Sequence, residues 1–517
     1  MKVLMTLIEA VMLLTGAGSP EELAESELER FESLASHPVC INLASPLRLR
    51  SCGLFSEYQV ASLMDYRERT GDILSLTELG TVPGFTSELV QAMSYFISLE
   101  SYSAAGARAI TRTRQDLMAR MTENGGGASY AGKYHAELGE RAELFLSRKE
   151  RMTVSLTLFG RRPWKLIAGD YNVRLGQGLL AWDGFTLSGY PTVASFRRNA
   201  SGFTGTGSFS PGRRGLAAAY DGRNWRLGVG VGADGKVSGS VGWLGKGGNI
   251  GLNVSAGNGK SGFSLDWKKA FGHLATFGEL ALAPCPSALA GAVWEPAYKT
   301  AASLLARYRT SADDAGLAAG FQWRWVSVTA DLSVHPEKLR ARKNNYEQFK
   351  FITDLTPEFA GRSWIIKPAL RWTERMQLSP AGDTFQANWR HDLRCDLKAS
   401  RGGLQAALRL NGILVTGGKP GGLAYLEAGY KTPSDTARFQ LSAFLRGTVC
   451  ETDGWASRIY AYERDIPGAF SVPAWYGHKA GLSFVAGVSY RSRKLRQRLN
   501  LRVSTKDFKI QYQLWLY

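Results

Sequence analysis

The 517-residue sequence is short of several features that define common classes of protein. After the first twenty residues it has no uninterrupted run of eighteen apolar residues, which excludes a conventional membrane-spanning helix. Five cysteines are too few, and odd in number, for a complete disulfide framework. The six histidines show no spacing typical of a zinc site. We therefore expect no metal ion and no cofactor.

Glycine and the amphipathic aromatic residues are abundant instead. The sequence has 58 Gly, 20 Tyr and 14 Trp but only 18 Pro, a composition typical of many short strands joined by tight turns. The formal net charge of +18 is divided unevenly along the chain. Residues 20–100 carry −8, and residues 101–517 carry +26. Lys and Arg in exterior loops would suit an anionic lipid surface, so we expect outer-membrane lipid as a partner.

The N-terminus has the order of a secretory signal. Lys2 precedes an apolar stretch over residues 3–14, which is followed by the small residues of 16–18. We expect a signal peptide over residues 1–19, cleaved near Ala17. Glu9 interrupts the apolar stretch, so an ordinary N-terminal helix is the alternative.

Residues 20–100 show the starts and stops of several short helices. Ser19-Pro20-Glu21-Glu22 and Ser75-Leu76-Thr77-Glu78 have the pattern of capping boxes, and Gly71 can end the helix that begins after Ser56. Each start is followed by apolar residues at helical spacing. The pattern predicts a small all-α domain.

Three segments of this region resemble the tandem helix-hairpin-helix domain of competence-type DNA receptors. They are Ile41-Asn42-Leu43-Ala44, Tyr66-Arg67-Glu68-Arg69-Thr70-Gly71 and Leu79-Gly80-Thr81-Val82-Pro83-Gly84-Phe85. The resemblance implies hairpin turns whose backbone N–H groups, at a helix start, bind a DNA phosphate. The candidate nucleic-acid-binding residues are then Gly53, Leu54, Phe55, Ser56, Arg67, Arg69, Gly84, Phe85 and Thr86.

The sequence departs from that family where DNA would bind. The second glycine of each turn is replaced, by Phe55 in one hairpin and by Thr86 in the other. A region at −8 would also repel phosphates unless its arginines form a local patch. We therefore favour a periplasmic module that docks a protein partner or plugs a pore, with DNA binding as the alternative.

The rest of the chain alternates between apolar and small or polar residues with a period of two. Between Trp225 and Trp267 four such segments are separated by Asp234-Gly235, Gly247-Gly248-Asn249 and Asn258-Gly259, which are hairpin-turn sequences. Similar segments continue to the aromatic C-terminus at Tyr517. We expect a mainly β protein: an antiparallel up-and-down transmembrane β-barrel of roughly 20 strands over residues 125–517, preceded by a linker at 101–124. A large exported soluble β-protein is the alternative.

Two segments interrupt the alternation and place charges beside aromatic residues. One runs from Gly169 into Trp182, and the other runs from Tyr460 into Trp475. Together with the helical region, the first segment resembles uncharacterised exported barrel proteins of Bacteroidota, which implies architecture but no activity. The candidate lumen or ligand residues are Asp170, Arg174, Gln177, Tyr460, Glu463, Arg464 and Asp465. The alternative is that they form satisfied ion pairs of the barrel.

The sequence offers no convincing motif of a cofactor site or of an enzyme. The sequence from Gly230 to Gly235 matches G-x-G-x-x-G, but it joins two strands through Asp-Gly, whereas a dinucleotide site needs a following helix. No H-E-x-x-H or G-x-S-x-G is present. We expect a non-enzymatic outer-membrane barrel for binding or transport. DNA uptake is the first alternative and an outer-membrane hydrolase is the second.

Overall fold

The computed structural model describes residues 5–101, 113–160, 163–210, 212–245, 247–257, 259–283, 285–341, 345–361, 364–381, 384–433 and 437–516. The start of the expected signal peptide, most of the expected linker and Tyr517 lie outside these residues. None of the helices in the described ranges has the length and apolar character needed to cross a membrane.

Twenty-four antiparallel strands form one closed barrel, in which each strand pairs with its neighbours along the chain and the last pairs with the first. The strands are β1 Thr113–Asn124, β2 Gly127–Leu138, β3 Ala142–Arg148, β4 Met152–Phe159, β5 Trp164–Arg174, β6 Arg213–Asp221, β7 Trp225–Gly232, β8 Val237–Gly245, β9 Gly248–Gly257, β10 Lys260–Phe271, β11 Leu274–Ala281, β12 Ser287–Ala297, β13 Thr300–Arg309, β14 Asp314–Trp323, β15 Val326–Val334, β16 Tyr346–Leu355, β17 Ile365–Ala381, β18 Thr384–Arg401, β19 Leu404–Val415, β20 Gly421–Lys431, β21 Phe439–Glu451, β22 His478–Arg491, β23 Leu495–Ser504 and β24 Asp507–Leu516.

The antiparallel barrel is confirmed, but the expected number of roughly 20 strands is wrong. The sequence predicts too few strands because some strands show no clear apolar alternation. Their inward faces carry charges, and their outward faces are only partly apolar. The first strand, Thr113–Asn124, is an example, since it falls within the segment expected to be a linker. It carries Arg and Asp among its inward residues and closes the barrel by pairing Gln115 with Leu516.

The hairpins in the middle of the chain have the expected register. Strands β7 and β8 pair Trp225 with Trp243 and Val231 with Val237. Gly235 in the turn between them has a φ of 78°, which suits glycine. The element that follows is strand β8, where a dinucleotide site would need a helix. The glycine-rich motif is therefore a hairpin turn.

The two faces of the barrel wall differ in polarity. On β9 and β10, Leu252 and Leu265 point outward and are about half exposed, whereas Asn253, Ser264 and Asp266 point inward and are buried. An apolar exterior around a polar interior is the pattern of a transmembrane barrel, and closure leaves no unpaired strand edge.

The N-terminal residues form a compact helical segment, defined here as residues 5–101. Its helices are α1 Leu7–Thr15, α2 Glu25–Ser36, α3 Pro46–Ser51, α4 Glu57–Thr70, α5 Leu76–Leu79 and α6 Ser87–Met93, with a 3₁₀ turn at Pro20–Glu22. Their core includes Val11, Phe31, Ile41, Leu63 and Phe96. Helix α1 packs into that core although it lies in the expected signal peptide; cleavage stays a prediction.

A charge on the outward face should destabilise the barrel. Leu252→Arg places a cation in the middle of β9 against lipid, at an expected cost of about 2–4 kcal/mol. The matched control is Asp234→Arg, which puts the same side chain in the exposed β7–β8 turn and should cost far less. Denaturant unfolding in phospholipid vesicles, followed by tryptophan fluorescence, measures both. Equal stabilities would show that Leu252 does not face lipid.

Candidate functional site

The helical segment contacts the inner wall of the barrel through a series of ion pairs, which we call the docking interface. Its partners on the wall form two separate arcs of the ring, one of β2, β3, β5, β6 and β7 and the other of β17, β18 and β19. A further partner, Lys299, stands between the arcs in the turn before β13. The helical segment therefore lies within the lumen. The pairs are Glu9–Lys398, Glu21–Arg394, Glu21–Arg409, Glu22–Arg371, Glu27–Arg174, Glu29–Lys133, Arg48–Glu137, Arg50–Asp221, Glu57–Arg226 and Glu88–Lys299.

Glu21 makes three polar contacts across the interface. It lies in the 3₁₀ turn after α1, and its Oε1 accepts hydrogen bonds from Arg409 Nη1 at 2.5 Å and from the backbone N–H of Tyr462 at 2.9 Å. Its Oε2 accepts one from Arg394 Nη1 at 3.1 Å. One side chain thus joins the helical segment, the wall and an inner loop.

Arg48 of α3 has the reverse polarity. Its guanidinium lies 3.0 Å from Glu137, 2.8 Å from Glu140 and 2.9 Å from Glu143, all at the β2–β3 hairpin. Burial disfavours the charged guanidinium, but the three carboxylates outweigh it and raise the pKa of Arg48 above its ordinary value. The helical segment therefore contributes both acidic and basic residues to the docking interface. This mixture of charges specifies the orientation of the segment in the lumen.

The pKa values of acidic residues in the helical segment reflect the same balance between burial and neighbouring charges. Burial raises the pKa of Glu9, yet Lys398 and Lys367 more than offset it and lower that pKa to about 2. Burial likewise opposes ionisation of Glu21, and Arg409 and Arg394 hold its pKa well below the usual range. Glu32 differs, because its burial prevails over neighbouring cations and raises its pKa to about 7.

The helical segment lies toward the end of the barrel that has the shorter connections. Glu140 and Lys299 stand in two of these short turns and pair with the segment. The longest connections, 175–212 and 452–477, are at the opposite end. Both fold inward: Phe196 belongs to a buried cluster with Phe277 and Leu305 of the wall, and Ile459 and Trp475 belong to another with Tyr425 of β20.

Glycines on the wall make room for one of these inner loops. The ring of Phe203 lies against β7, where a Cβ on Gly228 or Gly230 would come within 2.6 or 2.8 Å of it. A side chain at either position would displace the loop. The first glycine of the rejected dinucleotide motif thus has a packing role.

A cavity of about 710 Å³ remains between the helical segment and the wall from β2 to β8. At one end it is lined by Glu137 and Glu143, beside the short turns. At the other end it is lined by Arg151 and Asp234, in turns at the opposite end of the barrel. The cavity therefore follows one side of the lumen along most of its length.

The structure places the candidates of the first interrupted segment in contacts with protein groups. Asp170 is buried and accepts from Val154 N and from Arg214. Arg174 belongs to the docking interface through Glu27. The backbone N–H of Gln177 donates to Glu279 at 2.7 Å.

The candidate residues of the second interrupted segment also contact other groups of the protein. Glu463 and Asp465 both pair with Arg502, and Arg464 pairs with Glu427 at 2.9 Å. Tyr460 is half exposed, and its hydroxyl accepts from Arg458. In this geometry Glu463, Arg464 and Asp465 anchor an inner loop to the wall. A role in binding a ligand stays a prediction for these residues and for Tyr460.

The first hairpin turn of the helical segment faces the barrel interior. Leu54 and Phe55 are buried, Ser56 caps α4, and a Cβ on Gly53 would lie 3.9 Å from Ser201 of an inner loop. The turn therefore faces an inner loop and the cavity rather than the outside of the barrel.

The second turn is open to solvent. Gly84 is exposed with a φ of 89°, Phe85 is buried, and Thr86 caps α6. Arg67 donates to the carbonyl oxygen of Ala44, and Arg69 pairs with Asp65. The two arginines thus engage the protein itself, and the resemblance to DNA-binding hairpins stays a prediction.

Sequence spacing missed one cluster of potential metal ligands. His37 follows α2, whereas Asp116 and His135 face each other on β1 and β2. Their ligand atoms all lie within 4.8 Å of one another. Scattered histidines can be recognised as neighbours only once the helical segment is placed inside the barrel.

Comparison with known proteins gives fold-level likeness alone. No protein-family model matches this chain, and neither does any curated protein. The translocation pore of the P pilus usher PapC is 12% identical with a TM-score of 0.32, covering 78% of this chain and 98% of that one. OprD of Pseudomonas aeruginosa is 7% identical with a TM-score of 0.29, covering 80% of this chain and 98% of that one. Values this low say nothing of what this chain does.

The docking interface should survive mild acid and fail in strong acid. A carboxyl with a lowered pKa stabilises the folded state above its unfolded value, ordinarily 4.5, and loses that contribution as pH falls through the folded value. For Glu9 this window runs from 4.5 to about 2. Glu32, whose pKa is raised, should make docking slightly more favourable as pH falls from 7 to 4.5.

Hydrogen exchange of residues 20–100 in the full chain, corrected for the intrinsic effect of pH, measures this docking. We expect protection to persist at pH 5 and to fall only below about pH 4. Loss of protection centred above pH 4.5 would contradict an interface held by acids whose pKa values are lowered.

Proposed function

We propose that this protein is a non-enzymatic outer-membrane transport barrel whose lumen is closed by its own N-terminal helical segment. The observation that carries the proposal is the docking interface, which joins the helical segment to two arcs of the inner wall. A 24-stranded barrel encloses a space too wide for its own side chains to fill, so closure requires an inserted element.

The orientation follows from the lengths of the connections. In outer-membrane barrels the short turns face the periplasm and the longer loops face outward. The helical segment lies at the short-turn end, which supports a periplasmic origin for it. The segment would then act as a plug that enters the lumen from the periplasmic side.

The cavity along the wall supports transport as the function. Its lining carries both signs of charge, including Lys165, Arg213 and Asp183 as well as the groups at its two ends. Such a lining favours a polar solute. A small displacement of the plug would widen this cavity into a continuous path, whereas full release would open the whole lumen.

The exposed part of the helical segment supports contact with a periplasmic protein. Leu74 is 74% exposed and Tyr58 is 51% exposed, and the acidic residues Asp65 and Glu68 of α4 are exposed as well. Exposed apolar and acidic side chains suit a protein partner better than a phosphate backbone. DNA uptake is the weaker alternative, because only the second hairpin turn is accessible.

Charge reversal in the plug tests the proposal. Glu21→Arg combined with Glu57→Arg replaces attraction by repulsion at Arg394, Arg409 and Arg226, and the loss of one buried pair alone costs about 3–5 kcal/mol. We expect the purified variant to show larger and more frequent single-channel currents in a planar bilayer than the unaltered chain.

The matched control is Glu68→Arg. It makes a similar charge change on α4, at an exposed carboxylate that forms no ion pair with the described part of the barrel. Its currents should equal those of the unaltered chain. Large currents in the unaltered chain, or no increase in the double variant, would contradict the plug.

A further inference from the structure

We infer that His37, Asp116 and His135 form a binding site for a divalent transition-metal ion of the Zn²⁺ class, between the helical segment and the barrel wall. The inference goes beyond the proposed transport function and does not depend on it. Three protein ligands from three elements would converge on one ion: the end of α2, strand β1 and strand β2.

The distances within the cluster fit one shared ion. His37 Nδ1 lies 3.3 Å from Asp116 Oδ1, and His135 Nδ1 lies 3.4 Å from the same oxygen. Ligands at ordinary Zn–N and Zn–O bond lengths in a tetrahedron are about 3.3–3.4 Å apart. Two of the three ligand–ligand distances thus already match, and the third, between the two imidazoles, is within 4.8 Å.

The polar atoms of the cluster are buried without hydrogen bonds. Within the described residues, His37 Nδ1, Asp116 Oδ1 and both ring nitrogens of His135 have no hydrogen-bond partner. The side chains of His37 and His135 are only 3% and 7% exposed. Buried polar atoms are nearly always satisfied in folded proteins, so these four point to a ligand that the protein atoms do not provide.

The wall holds two of the ligands in place. Asp116 and His135 are directly opposite in the β1–β2 register, which brings their side chains together on the inner face. The ring of Phe145 stacks on His135 with centroids 4.0 Å apart. This support fixes the imidazole without using either nitrogen.

Neighbouring cations are already neutralised by other acids. Arg48 is paired with three carboxylates, and Arg114 is paired with Glu100 and the carbonyl oxygen of Pro38. An added cation would therefore not face an uncompensated guanidinium. Two imidazoles and one carboxylate leave a fourth position for water, which is the ligand set of Zn²⁺, Co²⁺ or Ni²⁺ rather than of Mg²⁺ or Ca²⁺.

Co²⁺ titration of the full chain tests the site. The protein in detergent micelles is treated with EDTA, dialysed and titrated with Co²⁺, followed by visible absorption and by metal analysis. We expect one Co²⁺ per chain, with the absorption of a four- or five-coordinate ion, and displacement by Zn²⁺. Less than half an equivalent in the folded, unaltered chain would overturn the inference.

Four variants, one of them a control, test the assignment of the ligands. Asp116→Asn and His37→Ala should each weaken binding by about 100-fold or more, whereas His478→Ala, at an exposed histidine beside Glu451, should leave it unchanged. His37→Cys should retain Co²⁺ and add the near-ultraviolet charge-transfer band of a thiolate ligand. Binding that is equal in all four variants, with no new band, would overturn the assignment even if some metal binds elsewhere.

Discussion

The structure depends on charge complementarity between the helical segment and the barrel lumen. Residues 20–100 carry −8 and the remainder of the chain after them carries +26, and the two meet across buried ion pairs. Such pairs offset their desolvation only when geometry is good and further hydrogen bonds are made. Glu21, with two guanidiniums and a backbone N–H, meets both conditions. Once the segment is docked, the wide lumen no longer needs to be filled by side chains of the wall.

The same interaction explains why so many groups in the lumen are satisfied. Arg174 joins the helical segment to the wall, while Glu463 and Asp465 bind an inner loop to Arg502. The lumen is thus filled from both ends, by the helical segment and by the inward loops. What remains is a cavity along one side, and that asymmetry gives the proposed path for a polar solute.

The secondary-structure elements of this protein could be predicted from the sequence better than their number and their contacts in space. Period-two alternation and Asp234-Gly235 were enough to predict hairpins, because side chains alternate between faces and the turn needs glycine. The predicted number of strands is too low because strands such as Thr113–Asn124 carry inward charges, which obscure the apolar alternation. The partners of those charges are far away in the chain. The basic excess taken alone suggests an anionic lipid surface, whereas Arg371, Arg394 and Arg409 point into the lumen and pair with the helical segment. Contacts between residues that are far apart in the chain leave no local sequence pattern. For the same reason the sequence does not reveal His37 and His135 as neighbours.

Cross-linking in intact outer membranes tests the central claim, that residues 20–100 lie docked inside the barrel. A chain with Glu57→Cys and Arg226→Cys places two thiols at one of the ion pairs of the docking interface. The account predicts that a short bis-maleimide joins these two positions, identified by mass spectrometry of the peptides, and that Glu68→Cys with Arg226→Cys gives no such product. Failure of the first pair to cross-link, or equal cross-linking of both pairs, would contradict it.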